Sequence, residues 1–161
     1  MKKAIVSLMA MVTIGNVLIP STVSVKAAEV SSISTNENLF SPKKINATLE
    51  NFKNFLANKG LTIEEAKQLN SSEKEEIIQE YIDYLSTARV GINVILGTIT
   101  AAMTIVTGLY NAGHYAARQL DTRGILTKKE YKPNGGWIMA GIIAAFGIPA
   151  AMGFDDYMYN R

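Results

Sequence analysis

No cysteine occurs among the 161 residues of this chain. That excludes a disulfide framework and leaves any zinc site without thiolate ligands. Histidine is almost as scarce, since His114 is the only imidazole. A serine–histidine–acid triad would have no other base to draw on, and a metal site needs several ligands placed together. Asp155 and Asp156 are neighbouring acids, but the alternating oxygen ligands of a calcium loop are missing. They read as a solvated C-terminal turn. Gly135-Gly136 lacks the lysine and spacing of a phosphate loop and reads as a turn before a last helix. The sequence thus offers no catalytic residue, no cofactor-binding residue and no metal ligand set. An enzyme is not expected.

An excess of positive charge is also missing once the N-terminus is set aside. The formal net charge is +2, but Lys2, Lys3 and Lys26 fall within residues 1–27 and no acid does. Beyond Ala27 there remain 13 basic and 14 acidic side chains, a net charge of −1. Nucleic acid is therefore not an expected partner, because phosphate binding needs clustered positive surface. Residues 1–27 themselves have the layout of a secretory signal peptide. Lys2 and Lys3 precede the uncharged stretch Ala4 to Ile19, Pro20 closes it, and Val25-Lys26-Ala27 carries small side chains where signal peptidase needs them. Cleavage is expected near Ala27, with secretion of the rest. A retained N-terminal anchor is the competing option. The lysine- and asparagine-rich composition is of a kind common in low-GC Gram-positive bacteria.

The remaining 134 residues (28–161) suit one domain, long enough to bury a core unaided. Residues 28–40 are rich in Ser, Thr, Asn and Glu without periodicity and read as a flexible leader. Residues 41–161 are expected to form a single all-α domain, a small multi-helix bundle. Its first half, 41–89, holds amphipathic helices, and its second, 90–161, is apolar. Ser41 and Pro42 start a helix running to about Lys59, with Ile45, Leu49, Phe52 and Leu56 as its stripe and Gly60 as a left-handed cap. Thr62 and Glu65 form a capping box for a short helix over Ile63 to Leu69. Ser72 and Glu75 suggest a second box, starting a helix over Glu73 to Leu85.

Fixed charge then disappears between Arg89 and Arg118 and again between Asn134 and Phe154. A turn-rich connector from Arg118 to Pro133 separates the two stretches, with a short helix expected behind Thr127 and Glu130. Both stretches are long enough to cross a bilayer. Val90 to Tyr110 holds nine Val, Ile or Leu residues, which favour insertion by about 3–5 kcal/mol. Three glycines, four threonines and Asn93 oppose this by a similar amount. The second stretch is weaker, with five glycines and Pro149, which should bend it. Each stretch is thus close to balance between lipid and a protein interior.

On the helix expected over the first stretch, Asn93, Gly97, Thr100, Thr104, Thr107, Asn111 and His114 recur at alternating spacings of four and three. They then form one line that ends at Arg118. The line reads in two ways. It is the wet strip or small-residue seam of a core helix, or a hydroxyl- and amide-lined face for helix contacts inside a membrane. Trp137 is either an interfacial anchor or ordinary packing. Gly97 with Ala101 and Gly108 with Ala112 are small-residue pairs suited to close helix contact.

Four segments carry a family resemblance: Leu61-Thr62-Ile63-Glu64-Glu65, Tyr81-Ile82-Asp83-Tyr84-Leu85, Gly124-Ile125-Leu126-Thr127 before Glu130-Tyr131, and Gly153-Phe154-Asp155-Asp156-Tyr157. Together with the signal, the polar helical half and the Gly/Ala-rich apolar helices, they make the chain resemble the secreted helical bacteriocins of streptococci and enterococci, the streptococcin/enterocin type. Some members of that group have a cysteine pair, which this chain lacks. The resemblance implies an all-helical bundle with antimicrobial activity and no cofactor. Its partner would be a membrane or envelope component of a target cell, with self-association in the membrane as a further option. The alternatives are a non-toxic exported interaction module and a two-span membrane protein.

Overall fold

The computed structural model describes residues 40–88 and 91–159. The expected signal peptide and nearly all of the leader lie outside these residues. Among the described residues the chain forms seven helices and no strand. They are α1 (Pro42–Asn58), α2 (Ile63–Gln68), α3 (Ser71–Ala88), α4 (Ile92–Ile105), α5 (Leu109–Thr122), α6 (Lys128–Phe146) and α7 (Ile148–Tyr159).

The polar half follows the local signals closely. The Ser41 hydroxyl accepts from the Lys44 amide at the start of α1. Gly60, at φ 71°, closes α1 with Leu61 N–H donating to Leu56 O and Gly60 N–H to Ala57 O, the paired bonds of a Schellman motif. Thr62 and Glu65 exchange both bonds of their capping box. The cap of α3 lies two residues earlier than expected. The Asn70 side chain accepts from Glu73 N–H while the Glu73 carboxylate accepts from Asn70 N–H. An asparagine caps as well as a serine, so the helix gains its first turn from Asn70, and Glu75 is left for another role.

Phe52, Phe55, Tyr81 and Tyr84 lock α1 onto α3, with Phe52 and Tyr81 ring centroids 4.8 Å apart. Such offset aromatic contacts add to the burial of the rings. Phe40, expected at the end of a flexible leader, is instead buried. Its ring lies where a Cβ on Gly141 of α6 would fall, so the start of the described chain is tied to the apolar half.

The apolar half departs from the expected pattern in three places. The first uncharged stretch is not one helix. Val106 turns extended at the end of α4, and Gly108 at φ 83° leads into α5. A positive φ costs glycine little, and the break needs no proline. α4 is the central helix, packed against α1, α2, α3 and α5. Val94 to Ala102 are buried without a gap, which explains an apolar pattern with no clear face.

In the second departure, the connector is short and Gly135-Gly136 is not a turn. The Thr127–Glu130 capping box is formed, but it opens a helix of 19 residues, not a short one. Pro133, Gly135 and Gly136 all lie inside it. Tyr131, fully buried, lies over Gly135, and the Asn134 amide donates to Glu130 O. These contacts outweigh the local cost of proline and glycine.

In the third, Gly147 at φ 93° ends α6 outright, and Pro149 sits in the first turn of α7, where its missing N–H costs nothing. The expected bend is thus a full corner between two helices. α7 then packs on α5 at backbone range, the most extensive helix contact in the molecule. A Cβ on Gly113 would lie 1.9 Å from Ala150 O, and one on Gly153 would lie 2.0 Å from Tyr110 O.

Candidate functional site

The polar line divides at the break after α4. Asn93 is exposed, Gly97 is buried against Leu85, and Thr100 is buried. The Thr104 hydroxyl donates to Thr100 O at 2.7 Å. Thr107 is exposed in the turn. Only Asn111 and His114 continue with Arg118 along α5. The line is therefore not one face, because Val106–Gly108 interrupts the helical phase on which it depended. Its two halves have different surroundings: core for Gly97 and Thr100, surface for Asn111 and His114. Of the small-residue pairs, Gly97 meets a side chain rather than a helix backbone, and Gly108 is not helical. The close seam is built by Gly113 and Gly153, which the sequence reading missed. The signal available was Gly113 with Ala117, four residues apart on α5.

The surface half of the line meets α3. Asn111, His114, Tyr115 and Arg118 line a shallow cavity of about 320 Å³ together with Ser71, Glu75 and Val106. Glu75 organises its wall. It accepts from Arg118 at 3.3 Å and from the Gln119 amide at 3.2 Å. The Arg118 guanidinium stands over the Tyr115 ring at 5.1 Å, within cation–π range. Burial, reinforced by the Glu75 charge, pushes the Tyr115 phenol up to about 12, so it stays neutral at ordinary pH. His114 contacts the edge or face of Tyr157 and Tyr110, at 5.2 and 6.5 Å between centroids.

Asp155 and Asp156 are not a free turn. They lie on α7 and accept hydrogen bonds from Tyr131 (3.0 Å) and Tyr110 (2.9 Å). Tyr157 donates similarly to Asp121 at 3.1 Å. Among the described residues, no group of three His, Cys, Asp or Glu could hold a metal ion. Trp137 is half-buried on α6, with its indole N–H donating to Asn134 Oδ1 at 3.3 Å.

A second surface feature lies at the α6–α7 corner. Ile143, Ile148 and Met152 are exposed, Ile148 by 60 %. Leu109 and Tyr110 at the start of α5 are exposed as well, and the Gly153 seam places them beside α7. The segments 109–113 and 134–154 that form this region contain no charged residue.

Comparison with protein-family models, with curated proteins and with solved structures finds no match for this chain. No described helix is long and apolar enough to cross a membrane. The two stretches that had that length in the sequence are each cut, at Gly108 and at Gly147.

Proposed function

We propose that the chain is an exported, bacteriocin-like antimicrobial protein that acts on the membrane or envelope of competing cells, without catalysis and without a cofactor. The observation that carries this reading is the uncharged apolar corner between α6 and α7, held out on a folded bundle. The secretion-type N-terminus and the resemblance to helical bacteriocins point the same way.

On this reading the inserting element is the α6–α7 hairpin alone, not both uncharged stretches. The Val90–Tyr110 stretch contributes α4, in which Val94 to Ala102 are all buried, so its removal would expose most of the core. The α6–α7 hairpin carries the exposed apolar residues and can meet a membrane without unfolding its neighbours. Among the described residues no helix is both long and apolar enough to cross a membrane, as a two-span arrangement would require.

The second reading is a non-toxic exported interaction module, and the polar cavity beside Glu75 and Arg118 favours it. An inhibition-zone assay with the exported protein against related bacteria separates the two. Clear zones are expected. Absence of inhibition across a panel of related strains, with the protein folded, would leave the interaction module.

A further inference from the structure

We infer that the α6–α7 corner is a shallow lipid-contact tip that recognises uncharged phospholipid surface by apolar insertion, to a depth set by Asp155 and Asp156. This rests on the membrane reading above and names its partner. Three observations support it.

The first is shape. The corner is a turn between two helices, and Ile148, in the first turn past Gly147, is the most exposed large apolar side chain there. A turn that presents one such side chain suits insertion between lipids better than it suits a broad protein surface.

The second is area. Ile143, Ile148, Met152, Leu109 and Tyr110 are only 41–60 % exposed, and five such side chains fall short of the ~800 Å² that each partner of a standard interface contributes. A second copy of the chain would be held weakly.

The third is charge. No lysine or arginine lies in the segments that form the tip, so those segments offer no cation to an anionic headgroup. The nearest fixed charges along α7 are the carboxylates of Asp155 and Asp156, which the phenols of Tyr131 and Tyr110 hold in place. From Ile148 to Asp155 a helix advances about 10 Å. That falls far short of the ~30 Å hydrocarbon core.

The test measures binding of the exported protein to vesicles of phosphatidylcholine alone and of phosphatidylcholine with phosphatidylglycerol, at low and high salt. The single tryptophan, Trp137, serves as the fluorescent reporter. Binding to both vesicles within about twofold, with little salt dependence, is expected. The Ile148→Ser/Met152→Ser variant should bind at least tenfold more weakly. Both residues are exposed, so its circular dichroism and thermal midpoint should match the parent. Binding only to the anionic vesicles, or equal binding by the variant, would overturn the inference. So would a concentration-dependent dimer abolished by Ile148→Ser, which would make a second copy the occupant. The two claims fail separately. Growth inhibition without vesicle binding leaves the antimicrobial reading with a protein or glycan target. Vesicle binding without growth inhibition upholds the lipid tip and removes the antimicrobial reading.

Discussion

Gly113 and Gly136 lie on neighbouring helices and should respond to the same substitution in opposite directions. A Cβ at Gly113 would strike the backbone carbonyl of Ala150, which cannot swing aside as a side chain would. Gly113→Ala should therefore cost about 3 kcal/mol, at the upper end of overpacking penalties. At Gly136 nothing lies within 4 Å of the added carbon. Gly136→Ala should stabilise by about 0.5–1 kcal/mol through helix propensity. Urea unfolding of both variants checks the sign of each. Thr100 provides a second contrast. Its hydroxyl is buried with no hydrogen-bond partner among the described residues, so Thr100→Val removes an unsatisfied polar atom at nearly constant volume. A gain of about 1 kcal/mol is expected, read as a higher thermal midpoint. Thr98 has the same burial, but its hydroxyl donates to Val94 O, so Thr98→Val should bring no such gain.

At the scale of elements, what was legible in the sequence depended on whether the deciding signal was local. The start of α1, the box at Thr62–Glu65 and the box at Thr127–Glu130 all stand as the residues suggested, because a cap is settled within four positions. The Asn70 cap was missed because Ser72 and Glu75 offered an equally good local pattern. Tertiary contact decided between them: Glu75 is held by Arg118 and Gln119, forty residues away in sequence. The breaks at Gly108 and Gly147 were hidden for a different reason. Glycine within an apolar stretch is compatible with a helix, and only the packing of α5 and α7 makes the broken form better. The polar line inherited that error, since a line of residues holds only while the helix does. The apolar corner was invisible for the same reason, because it exists only once α6 has ended. The link between α3 and α5 should be modest in energy. Glu75 and Arg118 are both partly exposed, so Glu75→Gln should cost under about 1 kcal/mol and loosen the cavity wall rather than the fold.

Across the whole molecule, phenols replace the missing disulfides as ties between distant segments. Tyr131, Tyr110 and Tyr157 each donate to a carboxylate on another helix. Burial raises Tyr115 and Tyr131, hydrogen bonding to Asp156 raises Tyr110, and burial with Asp121 raises Tyr157. A phenol raised in the folded state favours folding fully below its unfolded value near 10, and that contribution is lost as pH rises through the folded value. Stability should therefore hold up to about pH 10 and fall toward pH 12, where Tyr115 ionises. Denaturant midpoints across that range measure the slope. A flat profile would mean that the phenols are not the ties described.

The same architecture keeps α4 sealed while the corner stays open to a membrane, so the bundle is expected to work folded. Amide hydrogen exchange of the folded protein, with and without phosphatidylcholine vesicles, tests that most directly. The account predicts that amides from Val94 to Ile105 keep their protection in the presence of lipid while those around Ile148 gain it. Loss of protection along α4 on lipid binding would mean that the bundle opens to insert, and would contradict it.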